Sequence, residues 1–181
     1  DVKQPGDTGE FTYQATPIKV GDTLYLCTPH NWAVALNADT GEERWVYKAA
    51  IEPLSDRQHQ TCRGVSYWPG DTATATAETT TPDATTAEAT STPAPEPVAE
   101  AATGACQTRI FMPTSDAHLL ALDPETGELC PEFGDNGSLN LMHNMPFDQA
   151  GFYYSTSPPV IAGNTIVVGG AVNDNYDVNS P

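Results

Sequence analysis

Apolar and polar residues alternate in short runs along the chain, and one pattern of runs occurs twice. Residues 24–42 and residues 110–128 align without a gap at an offset of 86 residues. Each copy has an apolar run, a polar break, a second apolar run and then Asn or Asp followed by x-x-Thr-Gly. This pattern predicts a β-hairpin followed by a turn whose glycine takes a positive φ.

A third, partial copy completes the repeating unit. Residues 16–26 resemble residues 158–168 at an offset of 142 residues, with a Gly-Asp or Gly-Asn turn in each. The unit is therefore two hairpins, or four short strands, and repetition at this spacing is typical of the blades of a β-propeller. A β-sandwich of unrelated hairpins is the alternative, but the gapless internal match favours an all-β propeller. We expect about two to three blades, which is a fragment of a propeller domain, because closure takes about four to eight blades.

Residues 71–105 interrupt the repeat. They are almost wholly Ala, Thr, Pro and Glu, and they contain no Lys, Arg or aromatic residue. This composition cannot bury enough apolar surface to offset the entropy of ordering the chain. We expect a disordered surface insertion between two strands.

Charge and hydropathy exclude some classes of partner. The formal net charge is −17, and the chain has only seven Lys and Arg residues. Nucleic acid and anionic lipid surfaces are therefore not expected partners. No stretch reaches the roughly 18 apolar residues of a membrane span.

The four cysteines are Cys27, Cys62, Cys106 and Cys130. None belongs to a Cys-x-x-Cys pair, so a zinc site is not expected. Their even number allows one or two disulfides. Cys106 and Cys130 bracket the second hairpin and are the best candidates for a pair. Buried free thiols are the alternative.

Residues 49–70 lie outside the repeat and concentrate His, Arg and aromatic side chains. Loops that break a repeat often carry binding groups. Arg63 is a permanent planar cation that suits a carboxylate or quinone oxygen. His59 can donate to a ligand ring or stack on it. A surface histidine and a structural arginine are the alternative.

Two further sets of polar residues lie at strand ends. Residues 173–175, Asn-Asp-Asn, follow the apolar run 165–172 and offer oxygen ligands for Ca²⁺ or Mg²⁺. An Asx turn is the alternative. Thr156 falls at the same repeat position as Gln14, at the start of the innermost strand. In a propeller, that position faces the central channel, where ligands bind.

Taken together, these motifs resemble a known family. The sequences Gln-His-x-Thr-Cys-Arg-Gly-Val-Ser-Tyr, Thr-Ser-Pro-Pro-x-Ile and Val-x-Asp-Asn, with the Thr-Gly turns, are similar to those of the membrane-bound quinoprotein dehydrogenases of the glucose, quinate and shikimate group. The resemblance covers nearly all of the chain except residues 71–105. It implies that residues 1–181 are a fragment of one eight-bladed propeller domain that binds pyrroloquinoline quinone (PQQ) and a divalent metal, Ca²⁺ or Mg²⁺.

The resemblance also implies roles for individual residues. His59 would lie against the ring plane of PQQ, and Arg63 would pair with a PQQ carboxylate. Asp174 would occupy the metal-ligand position, with Asn175 beside it. Gln14 stands where relatives carry Glu, which weakens the cofactor bond expected there. The other implied cofactor contacts are Thr156, Ala171, Val172 and Asn173.

The resemblance implies the two-electron oxidation of a sugar or cyclic polyol, such as glucose, quinate or shikimate, with electrons passing to ubiquinone. The protein would then act at the periplasmic face of the bacterial inner membrane, with membrane attachment through segments outside this fragment. The catalytic base would lie beyond Pro181, so the 181 residues alone are expected to be inactive. A non-enzymatic periplasmic propeller, serving as a scaffold or binding protein, is the alternative. It explains the repeats but not the presence of His59, Arg63 and Asp174 on non-repeat segments.

Overall fold

The described part of the chain forms short β-strands joined by turns and loops. The structure is a computed structural model, and it describes residues 10–51, 59–70, 106–146 and 151–172. These ranges contain strands and turns but no helix, and hence no helix that could cross a membrane. In chain order the strands are β1 (Glu10–Phe11), β2 (Ile18–Val20), β3 (Thr23–Cys27), β4 (Trp32–Asn37), β5 (Glu43–Lys48), β6 (His59–Gln60), β7 (Ser66–Trp68), β8 (Arg109–Pro113), β9 (His118–Leu122), β10 (Ser138–Asn140), β11 (Tyr153–Tyr154), β12 (Val160–Ala162), β13 (Thr165–Val167) and β14 (Ala171–Val172).

The described strands form two four-stranded sheets, the hairpin that starts a third blade, and two further strand pairs, β1–β6 and β11–β14. Blade 1 is the antiparallel meander β2–β3–β4–β5, and blade 2 is the antiparallel meander β7–β8–β9–β10. The hairpin β12–β13 opens blade 3. The predicted four-stranded repeat unit is therefore confirmed.

The two Thr-Gly turns form as the repeat predicts. In blade 1, Asn37 Oδ1 accepts hydrogen bonds from the backbone N–H groups of the second and third residues that follow it, at 2.9 and 3.0 Å. In blade 2, Asp123 Oδ1 accepts the equivalent pair at the same two distances. Gly41 and Gly127 then take φ of 75° and 73°. These turns are Asx turns closed by a residue in the left-handed region, which glycine adopts at least cost.

Blade 2 begins earlier in the chain than the repeat predicts. The repeat places the second copy at residues 110–128 and leaves residues 49–70 outside it, but Ser66–Trp68 is the inner strand β7 of blade 2 and pairs with β8. The prediction was wrong because residues 71–105 separate this three-residue strand from the rest of its blade.

The outer strand of blade 2 also differs from the prediction. The matched copies leave residues 129–157 unassigned, but β10 lies within them and pairs with β9. The equivalent of β5 does not follow the Thr-Gly turn directly. Pro131 has no N–H for a ladder hydrogen bond, and Cys130 is held by a disulfide to Cys106. The chain therefore turns before it pairs.

The apolar run 165–172, expected to be one strand, is divided. Thr165–Val167 forms β13, and Ala171–Val172 forms the separate strand β14, which pairs with β11. Two glycines, Gly169 and Gly170, lie between the two strands. A Cβ at Gly170 would lie 1.8 Å from the ring of Tyr153, so a glycine is required where β14 meets β11.

The core lies between blades 1 and 2. In blade 1, β3 alternates between buried and half-buried residues, and its buried side chains pack on blade 2. Trp45, which follows the Thr-Gly turn of blade 1, donates from Nε1 to the carbonyl of Pro124 at 2.9 Å. Tyr25 donates to the same carbonyl at 3.1 Å. The buried residues of this core are Tyr25, Cys27, Ala33 and Ala35 of blade 1, with Cys62, Val65, Ile110, Met112, Leu120 and Leu122.

Gly127 and Gly41 provide a matched test of this packing. A Cβ at Gly127 would lie 2.6 Å from the Trp45 ring, whereas a Cβ at Gly41 would meet no atom within 4 Å. We expect Gly41→Ala to cost about 1 kcal/mol through backbone strain alone. Gly127→Ala is expected to cost about 3 kcal/mol, because the ring must also move. Urea denaturation of the two variants measures the difference, and equal losses would mean that the Trp45 contact is not tight.

The four cysteines form two disulfides, so none of them is free. The predicted Cys106–Cys130 bond is confirmed. The second bond, Cys27–Cys62, joins β3 of blade 1 to the segment that precedes β7.

The predicted insertion, residues 71–105, lies outside the described residues, but its two flanks are described. Trp68 and Arg109 are paired across β7 and β8. A Cβ at Gly70 would lie 2.6 Å from the carbonyl oxygen of Gln107, so the two flanks are in close contact. We propose that the segment is dispensable for folding. Deleting it from the complete polypeptide, with Gly70 joined to Cys106, should leave the melting temperature and activity nearly unchanged. Loss of soluble folded protein would show that the segment packs.

Candidate functional site

The segments that precede the inner strands of the three blades lie side by side. We call them the pre-strand segments, and they comprise residues 12–16, 60–64 and 155–158. The backbone N–H of Arg63 donates to the carbonyl of Thr156 at 2.8 Å, and the carbonyl of Arg63 accepts from the N–H of Thr16 at 2.9 Å. The middle segment is thus hydrogen-bonded on both sides, and equivalent positions of three blades meet at one place.

The side chain of Arg63 connects the same three segments. Its Nε donates to Gln14 Oε1 at 3.0 Å, and its Nη1 donates to Thr156 Oγ1. The sequence predicts Gln14 and Thr156 at one repeat position and Arg63 on a non-repeat segment. The structure brings all three predicted residues into one cluster.

The charge of Arg63 is not neutralised within the part of the chain that the structure describes. Its two side-chain partners there are a neutral amide and a neutral hydroxyl. The remaining N–H groups of the exposed guanidinium have no hydrogen-bond acceptor among the described residues. Arg44 differs, because it lies 2.6 Å from Asp22 and holds the pKa of that carboxyl below its ordinary value through a hydrogen bond and its charge. In a protein with a net charge of −17, an unpaired, preoriented guanidinium suits an anionic ligand.

Covalent and steric restraints hold the backbone beside Arg63. Cys62 is bonded to Cys27, and both residues are buried. A Cβ at Gly64 would lie 3.3 Å from the carbonyl oxygen of Thr16 and 3.5 Å from Pro158, so the neighbouring segments pack closely there. Sequence reasoning did not assign the Cys27–Cys62 pair.

The predicted residues of β14 lie next to the third pre-strand segment. Ala171 pairs with Tyr154, which leads directly into Ser155 and Thr156, and Val172 pairs with Tyr153 in the antiparallel register. The hydroxyl of Ser155 donates to the carbonyl of Gly169 at 2.7 Å. Ser155 therefore ties the chain leading to β14 to the segment that carries Thr156.

The remaining predicted site residues are described in part or not at all. His59 lies in β6, and its backbone pairs in parallel with that of Glu10 in β1. Asn173, Asp174 and Asn175 lie outside the described residues, directly after β14. The described residues contain no group of three or more His, Cys, Asp or Glu side chains that could hold a metal ion. The predicted metal site therefore depends on residues 173–175 and stays a prediction.

Comparison with known proteins defines the class of protein. Residues 1–181 match the family model of the PQQ-type glucose/ethanol/alcohol dehydrogenase β-propeller domain. The chain belongs to this family, and the predicted all-β propeller fold is confirmed. The fold is similar to the crystal structure of quinohemoprotein alcohol dehydrogenase from Comamonas testosteroni, with a TM-score of 0.55 and 17% sequence identity. The superposition covers 91% of this chain and 18% of that structure. At this identity, the likeness concerns the fold alone.

Curated relatives define the nearer group. The chain is 44% identical over 176 residues to the quinoprotein glucose dehydrogenase of Escherichia coli strain K12, covering 97% of this chain and 19% of that protein. It is 35% identical over 181 residues to quinoprotein glucose dehydrogenase A of Acinetobacter calcoaceticus, and the match covers 100% of this chain and 21% of that protein. It is 36% identical over 184 residues to the quinate/shikimate dehydrogenase (quinone) of Acinetobacter baylyi, and the match covers 96% of this chain and 21% of that protein. The chain thus spans about a fifth of the length of these relatives.

The donor groups around Arg63 fit the cofactor of this family. PQQ carries carboxylates and quinone oxygens, all of which accept hydrogen bonds. The cluster offers a planar guanidinium that can donate to a carboxylate in a bidentate manner, together with a hydroxyl and an amide. The cluster lies at the start of the inner strands, and its guanidinium is exposed. A planar anion could therefore reach it without displacing the core.

Proposed function

We propose that this chain is part of a quinoprotein dehydrogenase that oxidises a sugar or cyclic polyol of the glucose, quinate or shikimate type. One observation carries the proposal. Arg63 is held by Gln14 and Thr156 where three blades meet, and no carboxylate among the described residues neutralises it. Within a PQQ family, this arrangement suits the binding of an anionic quinone. The names of the relatives support the substrate class.

The residues of this chain would bind and orient the cofactor. Arg63 would donate to a carboxylate of PQQ, and Thr156 would hydrogen-bond its edge, with a weaker contribution from Gln14. His59 would lie against the ring plane. When bound, PQQ supplies the two-electron acceptor for alcohol oxidation. The backbone of Ala171, Val172 and Asn173 would complete the contacts along the strand end.

The metal site is proposed on residues that follow β14. Asp174 would ligate Ca²⁺ or Mg²⁺, with Asn175 beside it, because both ions prefer carboxylate and amide oxygens. The catalytic base is proposed to lie outside residues 1–181, so these residues alone would be inactive. Electrons would pass to ubiquinone at the periplasmic face of the bacterial inner membrane, and the membrane attachment would lie outside this chain.

Reconstitution of the apo-protein tests the proposal. The complete polypeptide, freed of PQQ, is mixed with PQQ and either Ca²⁺ or Mg²⁺, and it is then offered glucose, quinate and shikimate with a ubiquinone analogue as acceptor. We expect PQQ-dependent oxidation of at least one of the three substrates. The control reaction omits PQQ and should show no oxidation.

The second candidate is a non-enzymatic periplasmic propeller, which would by itself explain the blade repeat. It predicts no PQQ binding by the complete polypeptide and no oxidation of any of the three substrates. The same measurement therefore distinguishes the two candidates.

A further inference from the structure

The disulfide Cys27–Cys62 adjoins Arg63 and links two blades. Cys27 is the last residue of β3 in blade 1, and Cys62 lies in the pre-strand segment of blade 2. The exposed fractions of the two residues are 0% and 2%. The bond therefore fixes the backbone of residues 60–64 to the blade whose own pre-strand segment carries Gln14.

The other restraints on this segment are non-covalent. The backbone hydrogen bonds of Arg63 reach only the two neighbouring pre-strand segments, and β6 is a two-residue strand paired with a two-residue strand. The guanidinium is exposed, and each of its hydrogen bonds is worth about 0.5–3 kcal/mol in net terms because water competes for the donors. The side chain of the adjacent Thr61 adds no hydrogen bond, since its buried Oγ1 has no partner among the described residues.

The other disulfide has a different environment. Cys106–Cys130 packs with Phe111, Leu119 and Ala121 in a second apolar cluster, and both of its cysteines belong to blade 2. Neither cysteine lies in a pre-strand segment or next to one along the chain. The two bonds close loops of similar length, with sequence separations of 35 and 24 residues. They should therefore constrain the unfolded chain to a similar extent.

We propose that Cys27–Cys62 is a positioning element for cofactor binding: it holds Arg63 at the distance and angle that a carboxylate of PQQ requires. This inference rests on the proposed function of Arg63. The bond acts through Arg63 and does not itself touch the cofactor. A bidentate arginine–carboxylate contact is sensitive to small displacements, so a backbone shift at Cys62 would weaken binding without removing any donor.

The test compares two paired substitutions in the complete apo-polypeptide, with PQQ binding measured directly by titration calorimetry. Cys27→Ala with Cys62→Ala is expected to raise the Kd for PQQ about 10-fold. Cys106→Ala with Cys130→Ala is expected to leave it within about 2-fold while lowering the melting temperature to a similar degree. An equal effect of both pairs on the Kd, or no effect of the first, would overturn the inference.

Combination with Arg63→Ala separates this inference from the proposed function. If the disulfide acts through Arg63, removing it in the Arg63→Ala background should cause no further loss of affinity. If Arg63→Ala binds PQQ like the wild type, both the role of Arg63 and the positioning inference fail. If Arg63→Ala weakens binding and the cysteine pair does not, only the positioning inference fails. Cys27→Val with Cys62→Ala, which refills the buried volume, replaces the alanine pair if that pair does not fold.

Discussion

Replacing Arg63 by alanine is expected to weaken PQQ binding by the complete apo-polypeptide about 100-fold, because a bidentate charge-assisted contact is worth roughly 3 kcal/mol. The guanidinium forms hydrogen bonds to Gln14 and Thr156, and its charge is otherwise unpaired among the described residues. Folding should survive, since the side chain is exposed and contributes nothing to the core between the blades. Titration calorimetry gives the Kd, and thermal unfolding confirms that the variant is folded.

Arg44→Ala is the matched control for charge. Arg44 also has an exposed side chain, but it pairs with Asp22 away from the pre-strand segments. Its loss removes the same charge from the protein and should change the Kd for PQQ by less than about 2-fold. Arg63→Lys keeps the charge but loses the planar donors, so it should recover only part of the affinity. If Arg44→Ala and Arg63→Ala weaken binding equally, the effect is one of net charge, and Arg63 is not part of a site.

The sequence predicts most of blade 1 because local chemistry determines it. Asn37 and Gly41 close the turn between β4 and β5 through contacts within a few residues, and the alternation along β3 decides which of its faces is buried. The same logic locates part of the site. Gln14 of blade 1 and Thr156 of blade 3 share one repeat position, and both flank the middle pre-strand segment, which carries Arg63.

Long-range contacts account for what the sequence does not predict. The inner strand β7 is three residues long and carries no pattern of its own, so only its pairing with β8 across the insertion identifies it. The division of the run 165–172 depends on Tyr153, whose ring occupies the space beside Gly170. The partner of Cys62 is likewise decided by the packing of blade 1 on the middle pre-strand segment, and spacing in the sequence does not reveal it.

The largest remaining prediction about the site is that Asp174 ligates the metal. Asp174 follows β14, which pairs with β11, and β11 leads directly into the segment that carries Thr156. The pairing is antiparallel, so β14 ends opposite Tyr153 rather than beside Thr156, and the expectation for Asp174 rests on the family resemblance, with the amides of Asn173 and Asn175 as neutral oxygen ligands. Hard divalent ions select such oxygens, and affinity depends strongly on the number of charged ligands. An Asx turn is the competing role, and it requires only a side-chain oxygen.

Asp174→Asn separates the two roles, because it keeps the shape and the oxygen acceptor but removes the charge. As a metal ligand, Asp174 should be required for affinity, so half-maximal reconstitution of the complete apo-polypeptide with PQQ should need about 100-fold more Ca²⁺ or Mg²⁺. Asp123→Asn is the control, since Asn37 makes the same turn hydrogen bonds in blade 1 that Asp123 makes in blade 2. That variant should reconstitute at the wild-type metal concentration. If Asp174→Asn behaves in the same way, with unchanged turnover, Asp174 is a turn residue and the metal is held elsewhere.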